Sequence, residues 1–393
     1  MKGIQMARRV YLDHNATAPL LDAARDAMVA ALGRPAGNPS SPHAFGGAAR
    51  LDLESSRREV AALLGGDDHE IVFVSGGTEA DNLAIQGSAR AWTAAGRAPG
   101  HLIASAVEHP AVIESCRYLE STGWRLTLMP VDRAGRVAPS ELRAALRSDT
   151  ALVSIMAANN ETGALQPIEE LAEVCRAAGI PMHVDAVQAA GRLPLDVRRL
   201  GADMVSISAH KMGGPVGIGG LWVKGSRSVK PLLLGGGQEA RRRPGTEPVA
   251  LAAGFAAAVR SARERLADSS IQGLRDHMER ELAGAISGLV VNAAGAPRLA
   301  NTSSLTLPGV DAEAMVIRMD LAGFAISTGS ACSTGAARPS HVLAAMGLNR
   351  DQSASTIRVS LGQSTTSDDI ETFVPALSAA AAALRGAGVG GKA

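Results

Sequence analysis

Lys211 ends an apolar segment, and its amine is a candidate for covalent chemistry with an aldehyde. It closes ADMVSISAHK (202–211) and is followed by MGGPVGIGG (212–220). A lysine at the buried edge of a sheet is costly as a cation, so its pKa falls and the free amine can attack a carbonyl. The glycines that follow allow a ligand to approach the backbone closely. Taken alone, however, Lys211 fits a surface lysine on a turn better.

Asp185 narrows the interpretation of Lys211. It ends the apolar segment IPMHVD (180–185), one predicted strand before Lys211. A carboxylate at that position can pair with a pyridinium nitrogen and make the ring an electron sink, although a lone aspartate there also fits a helix cap. The two residues together point to pyridoxal phosphate (PLP) on an aspartate-aminotransferase-like fold.

The segment SGGTEADN (75–82) is a candidate phosphate site. Gly76 and Gly77 precede a predicted helix, whose free N–H groups and dipole favour an anion, and Thr78 adds a hydroxyl. Thr78 and Asp81 also form a T-x-x-D pattern that predicts a cap at the helix start. A glycine-rich turn also fits nucleotides, but this one is neither G-x-G-x-x-G nor a Walker A loop.

The chain has three cysteines, and they differ in their surroundings. Cys332 lies in TGSACSTG (328–335), where small residues favour an exposed thiol that is either a nucleophile or an inert loop cysteine. Cys116 and Cys175 lie in apolar helical segments and are predicted to pack as small hydrophobic residues.

Arg358 places a charge inside the apolar segment STIRVSLG (355–362). A buried guanidinium needs a partner, which is either a substrate carboxylate held in bidentate geometry or the acid of a structural ion pair. The sequence leaves both partners open.

These candidates follow the predicted strands of one sheet. Short apolar segments alternate with helical ones, which predicts an α/β fold with a mainly parallel sheet covered on both faces. Ligands bind such sheets beyond the carboxyl ends of the strands. The predicted strand ends carry Ser75 and Thr78, His109, Asn159 and Asn160, Asp185 and Gln188, and Ser208, His210 and Lys211.

The pattern changes after residue 250, which predicts a smaller α+β domain. A helix is expected over 249–286, followed by strands near 287–293, 301–309, 323–332 and 355–362 and a final helix over 367–386. We therefore divide the chain into an N-terminal segment packing with the small domain, a large PLP-binding domain, a small domain carrying Cys332 and a disordered tail. Their respective ranges are 1–20, 21–255, 256–385 and 386–393.

Composition excludes several classes of protein. The 393 residues carry a net charge of +1, which argues against a dedicated nucleic-acid binder. No stretch of about 18 uncharged apolar residues is present, and the N-terminus lacks the apolar core of a secretory signal. Three cysteines do not make a disulfide scaffold and fit a reducing compartment, so we expect a cytoplasmic protein. No metal-ligand spacing such as C-x-x-C or H-E-x-x-H occurs.

From residue 11 to about residue 380 the chain resembles a cysteine desulfurase of the class-V aminotransferase family, with the PLP-dependent transferase fold of type I. The segment around Cys332, TGSACSTG (328–335), is similar to the catalytic loop of those cysteine desulfurases in which this loop is long. The matching motifs are YLDHNATAP (11–19), GNPSSPH (37–43), SGGTEADN (75–82), EHPAV (108–112), NNETG (159–163), HVDAVQ (183–188), SISAHKMGGPVGIG (206–219), GGGQEARRRPGT (235–246), TGSACSTG (328–335) and IRVSLG (357–362).

The resemblance implies roles for residues around the cofactor ring. Lys211 would carry PLP as a Schiff base and move the substrate's α-proton. Asp185 would pair with the ring nitrogen, Gln188 would donate to the ring oxygen, and His109 would stack on the ring and assist proton transfer. Cys332 would accept the sulfur of L-cysteine as a persulfide, and alanine would leave.

The resemblance also implies how phosphate and substrate are bound. Gly77, Thr78, Ser208 and His210 would hold the phosphate, together with Thr246 of a neighbouring subunit, so a homodimer is expected. Further binding residues would be Asn160, at the cofactor and at the substrate carboxylate, and Asn38 and Arg358, at that carboxylate.

The resemblance leaves the sulfur acceptor open, because the chain ends in GAGVGGKA without a recognisable docking tail. An iron–sulfur scaffold, a tRNA-thiolation relay and cofactor biosynthesis are all compatible with the sequence. Two other functions are also open: another PLP enzyme, such as an aminotransferase or selenocysteine lyase, and a sulfur carrier without catalysis. The first would not need Cys332, and the second would not need Lys211.

Overall fold

The computed structural model describes residues 9–329 and 339–389, with side chains to residue 386. The helices in this part of the chain are α1 (Asp22–Leu32), α2 (Ala44–Leu64), α3 (Gly77–Ala94), α4 (Pro110–Ser121), α5 (Pro139–Ala145), α6 (Ile168–Ala177), α7 (Val197–Leu200), α8 (Val249–Glu264), α9 (Ser270–Ala285), α10 (Ala312–Leu321), α11 (His341–Ala345), α12 (Arg350–Ala354) and α13 (Ser367–Val389). The strands are β1 (Val10–Tyr11), β2 (Ile71–Val74), β3 (His101–Ser105), β4 (Arg125–Met129), β5 (Thr150–Ser154), β6 (Met182–Asp185), β7 (Met204–Ser208), β8 (Gly219–Val223), β9 (Val290–Val291), β10 (Thr302–Thr306), β11 (Phe324–Ala325), β12 (Ser327–Thr328) and β13 (Thr356–Ser360).

The larger sheet of the described residues has the strand order β2-β8-β7-β6-β5-β3-β4. All neighbours from β7 to β4 pair in parallel, whereas β8 runs antiparallel to both β7 and β2. The predicted α/β fold with a mainly parallel sheet is therefore confirmed.

Helices cover both faces of this sheet, which explains why most residues of its inner strands are apolar. Alternate residues of a strand point to opposite faces. In β3, Ile103 joins the apolar core on one face, while Leu102 and Ala104 join the core on the other. Strands buried on both faces need near-continuous apolar runs, as the sequence shows for β5 to β7.

A second, antiparallel sheet has the order β12-β13-β10-β9 and packs against α9, α10 and α13. Its core contains Met278, Met315 and Phe373, and the ring of Phe373 meets that of Phe324 edge-on at 5.5 Å between centroids. Strand β1 pairs in parallel with β11, so the N-terminal segment joins this smaller unit.

Three local predictions are wrong. The helix expected over 249–286 is two helices, because the chain turns after Glu264 and Asp268 accepts a hydrogen bond from the Ser270 N–H, an Asx turn. Helix α3 begins at Gly77 without a side-chain cap, so Thr78 and Asp81 do not form the expected pattern. Helix α13 continues to Val389, past residue 386, where we expected regular structure to end.

Among the helices of residues 9–329 and 339–389, none combines the length and the apolar character that a membrane span requires.

A left-handed turn over Glu239–Arg241 is held by a buried ion pair. Three consecutive residues other than glycine have positive φ there, at 48°, 53° and 64°. Such φ values are disfavoured for residues that carry a Cβ. The Glu239 carboxylate accepts hydrogen bonds from both terminal nitrogens of Arg57, at 2.7 and 2.8 Å, and from the Phe73 N–H at 2.8 Å. These three bonds offset the strain and fix the segment that leads to Thr246.

We predict that Glu239→Ala lowers the free energy of unfolding by about 3–5 kcal/mol, because it leaves the buried Arg57 without its main counter-charge. The measurement is urea denaturation of the protein without cofactor. Glu114→Ala is the matched control, since its pair with Arg117 is exposed and is worth about 0–1 kcal/mol. Equal losses for the two variants would contradict the role given to the buried pair.

Candidate active site

The predicted site residues meet at the carboxyl edge of the larger sheet. Strand β6 ends at Asp185, and β7 ends at Ser208, from which a short 3-10 turn leads to Lys211. Because β6 and β7 are parallel neighbours, with Asp185 opposite Ser206, the carboxyl and the amine leave the sheet side by side. His109, which caps α4, lies close enough for the charge of Lys211 to affect its pKa.

Asp185 is buried at the end of its strand. One carboxyl oxygen, Oδ1, accepts a hydrogen bond from the Val187 N–H at 2.9 Å. Burial raises the pKa of Asp185 to about 6, against the lowering effects of that hydrogen bond and of the Lys211 charge. The carboxyl thus remains mostly ionised at pH 7 and can stabilise a positive charge that lies against it.

Two further buried carboxyls surround Asp185. Glu108 accepts hydrogen bonds from the Ser105 hydroxyl at 2.5 Å and the Met156 N–H at 2.9 Å, yet burial raises its pKa to about 8. Burial, with the charges of Asp185 and Glu108, also holds the pKa of Asp81 well above its usual range. Glu108 is therefore mainly protonated near neutrality, and the upward shift of the Asp81 pKa favours its protonated form as well, whereas Asp185 stays mostly ionised.

His183 bridges the sheet beneath these acids. Its ring nitrogens lie 2.8 Å from the Ser154 hydroxyl and 2.8 Å from the Ser206 hydroxyl, and Nε2 lies 3.6 Å from Asp81 Oδ1. Burial lowers the pKa of His183 to about 3, so the ring is neutral. Sequence reasoning identified His183 only as part of a motif; a histidine inside an apolar strand was the signal for a buried polar network.

The amine of Lys211 rests on the N-terminal segment. Its Nζ donates to the backbone carbonyls of Asn15 at 2.7 Å and of Ala16 at 2.8 Å. Asn15 also bonds to two other residues. Its carbonyl accepts a hydrogen bond from the Gln188 amide at 3.0 Å, and its side-chain oxygen accepts one from the Arg192 guanidinium at 2.9 Å. Sequence reasoning missed Asn15 and Arg192, although Asn15 lies within the motif at 11–19.

Two histidines flank the amine in neutral form. Burial, together with the charges of Lys211 and His341, lowers the pKa of His109 to about 4. Its Nδ1 accepts from the Ala111 N–H at 3.1 Å, which fixes the ring at the start of α4. Burial and the charge of Lys211 likewise lower the pKa of His210 to about 4, and its Nδ1 lies 3.1 Å from the Thr17 hydroxyl.

The start of α3 forms a cradle that fits a phosphate. A Cβ on Gly77 would come within 2.7 Å of the Val187 side chain and within 3.6 Å of Ser208 Cβ, so a larger residue at this position would clash with Val187. The buried Ser208 hydroxyl has no hydrogen-bond partner among the described residues. An unpaired hydroxyl beside the free N–H groups of an 18-residue helix suits a phosphate. With Asp185 and Lys211 at the same edge, the residues fit PLP.

Arg358 is paired with an acid and also lies beside a predicted substrate-binding residue. Its Nη2 donates to Asp13 Oδ1 at 2.6 Å and its Nη1 donates to the Asn160 carbonyl at 3.0 Å. The structural ion pair is therefore present, and Arg358 and Asn160 lie together as the substrate hypothesis requires. The Nε atom of Arg358 is buried without a partner in the described part of the chain.

The remaining predicted site residues differ from one another in burial and in hydrogen-bond partners. Gln188 is buried and bonded to Asn15 and Arg192. Asn38 and Thr246 are exposed, and Asn38 accepts from the Ser40 N–H at 2.9 Å in a turn. Thr78 is exposed in the first turn of α3. Cys332 lies outside the described residues, while Cys116 and Cys175 are buried as predicted.

Comparison with known proteins agrees with this geometry. The family model described as aminotransferase class-V matches residues 10–373. The chain is 43% identical over 368 residues to the cysteine desulfurase IscS of Dictyoglomus turgidum, covering 93% of this chain and 92% of that protein.

Solved structures give the same result. A NifS-like protein is similar with a TM-score of 0.87 and 33% identity, covering 94% of this chain and 98% of that one. A structure described as SspA in complex with cysteine has a TM-score of 0.79 and 33% identity, with coverage of 90% and 98%. The chain therefore belongs to the class-V aminotransferase family, within its PLP-dependent cysteine desulfurases.

Proposed function

We propose that this chain converts L-cysteine to L-alanine and leaves the substrate's sulfur as a persulfide on Cys332. One observation carries the proposal: the Lys211 amine and the ionised Asp185 carboxyl follow adjacent strands, beside a helix start that fits phosphate. The similarity to a protein described in complex with cysteine supports the choice of substrate.

PLP, when bound, supplies an electron sink for the pair that remains on the substrate when its α-proton leaves. Asp185, ionised at neutral pH, would keep the ring nitrogen protonated. The Nζ of Lys211 would take the α-proton and return it, since an amine released from its carbonyl contacts with Asn15 and Ala16 is a general base.

The substrate would be oriented by its carboxylate and by a neutral histidine. Arg358, whose Nε has no partner among the described residues, and Asn160 beside it would bind the carboxylate, with Asn38. His109 would stack on the cofactor ring. Because its pKa is lowered to about 4, the ring is neutral near pH 7 and adds no positive charge to the site.

In the sulfur-transfer step the Cys332 thiolate attacks the sulfur of the bound substrate. An S–S bond forms, the Cβ–S bond breaks, and its electron pair stays with the carbon, which takes up a proton and leaves as alanine. The substrate's sulfur is retained on Cys332, so the step needs no external oxidant or reductant. Reducing thiols or an acceptor protein then remove the persulfide.

We also propose that the protein is a homodimer. Its persulfide would be delivered to a sulfur-acceptor protein, such as an iron–sulfur scaffold. The reaction would take place in a reducing, cytoplasmic compartment. Helices α1 and α2, which both pack on α8, expose large apolar side chains that a second copy would cover. These are Val29, Leu32, Phe45 and Leu51, which are 57–71% exposed. Thr246, exposed after the rigid Glu239–Arg241 turn, would reach the phosphate of the partner.

The first test of this proposed function is Cys332→Ala. We expect wild-type protein with L-cysteine and a reductant to form equimolar sulfide and alanine, and the variant to form little of either. Cys175→Ala is the control, since burial raises the pKa of that thiol to about 12 and keeps it unreactive. Equal activity of Cys332→Ala and wild type would indicate a PLP enzyme that eliminates sulfur by another route.

The second prediction concerns Lys211→Ala. Turnover should fall by about 10²–10⁴-fold, the usual contribution of a general acid–base group, while PLP stays bound without a covalent link. Borohydride reduction followed by mass spectrometry should attach PLP to wild type and not to the variant. Lys230→Ala, at an exposed site, should behave as wild type. Normal turnover of Lys211→Ala would overturn the assignment.

The third prediction tests the shared site by subunit complementation. Thr246→Ala should weaken PLP binding without loss of folding. In a mixed dimer of Thr246→Ala and Lys211→Ala chains, one site has both Lys211 and the partner's intact threonine, so activity should return. If Thr246 serves its own chain's phosphate, neither site of the mixed dimer is complete and activity stays low.

A further inference from the structure

Glu161 lies at the point where the segment carrying Cys332 leaves and rejoins the described structure. Its Oε2 accepts a hydrogen bond from the Ser340 hydroxyl at 2.5 Å, and both residues are buried. On the other side of the segment, a Cβ built on Gly329 would lie 3.4 Å from the same Oε2, so Gly329 lies beside the carboxyl. One buried carboxyl therefore bonds to Ser340 and lies beside Gly329, on the two sides of 330–338.

Ser340 and His341 connect Glu161 to residues near the active site. The Ser340 hydroxyl also accepts from the Leu343 N–H at 3.1 Å and so caps α11. The Nε2 of His341 lies 2.8 Å from the Glu108 carbonyl, next to His109. Ser340 and His341, which follow the segment, are thus bonded to two motifs at the sheet edge, NNETG (159–163) and EHPAV (108–112).

Glu161 itself is fixed from the substrate side. Its N–H donates to Asn159 Oδ1 at 2.9 Å, and the Asn160 carbonyl beside it accepts from Arg358. The same short loop thus presents Asn160 to the substrate carboxylate and Glu161 to the two ends of the cysteine segment. Burial raises the pKa of Glu161 to about 7, which the charge of Arg358 opposes, and the proposed reaction uses neither form of this acid.

We infer that Glu161 is a positioning residue for sulfur transfer: by holding Ser340 beside Gly329, it sets where the Cys332 segment begins and ends relative to the bound substrate. The inference rests on the proposed role of Cys332 as sulfur acceptor. Glu161 would then govern the rate at which the substrate's sulfur reaches Cys332, and it would leave the binding of L-cysteine unchanged.

The test is a double-mutant cycle of Glu161→Ala and Ser340→Ala in the holoenzyme. The first readout is persulfide formation on Cys332 in a single turnover, followed by mass spectrometry, and the second is the Kd of L-cysteine from the cofactor absorbance. We expect each variant to slow persulfide formation by about 10–100-fold, as for loss of a hydrogen bond to a charged group, with an unchanged Kd. The double variant should be no slower than either single variant.

Glu161→Gln is the matched control, because its amide oxygen still accepts from the Ser340 hydroxyl; it should stay within about fivefold of wild type. A third readout does not depend on activity: in the protein without cofactor, hydrogen exchange of the amides at 341–345 should rise in Glu161→Ala and not in Glu161→Gln.

Multiplicative losses in the double variant, or a raised Kd for L-cysteine with normal persulfide formation, would overturn the inference. Failure of the proposed function looks different, since wild type itself would then form no persulfide on Cys332. In that case, unchanged exchange at 341–345 in Glu161→Ala would overturn the anchoring role as well.

Discussion

The burial of an ionised carboxyl at the end of a parallel strand is the constraint on which the rest of the structure depends. Burial opposes the charge of Asp185 and raises its pKa, whereas the hydrogen bond from Val187 and the charge of Lys211 lower it. The pKa of about 6 is the result of these opposing effects. Glu108, with a pKa of about 8, and neutral His183 lie near Asp185 without adding like charge at neutral pH, and burial shifts the pKa of Asp81 upwards as well. The nearby Lys211 amine favours the ionised form of Asp185. The parallel order of β6 and β7 is what brings these two groups together.

The second requirement is a rigid junction between the two sheets, and Asn15 provides it. This single residue bonds to Gln188, Arg192 and Lys211 of the large sheet's edge. It bonds equally to Thr302, Asn301 and Ser360 of the small sheet. These bonds tie the segment that contacts the reactive amine to both sheets.

Much of this could be predicted from the sequence, because periodicity and strand-end polarity are local signals. The parallel sheet and its polar edge are confirmed, and Asp185 and Lys211 lie where the pattern placed them. The contacts of Asn15 with Arg192 join residues 177 positions apart, which no local pattern encodes. The break before Ser270 depends on one Asx turn within a continuous helical pattern. The domain boundaries and the roles of the site residues, Asn38, Thr246 and Cys332 among them, stay predictions.

The left-handed turn at Glu239–Arg241 inverts a common rule of protein engineering. Glycine normally destabilises a chain relative to alanine, by about 0.4–1 kcal/mol, because it adds freedom to the unfolded state. At Ala240, with φ of 53°, the alanine already costs about 1–2 kcal/mol in the folded state. The folded-state term is the larger, so glycine is the stabilising choice at this position.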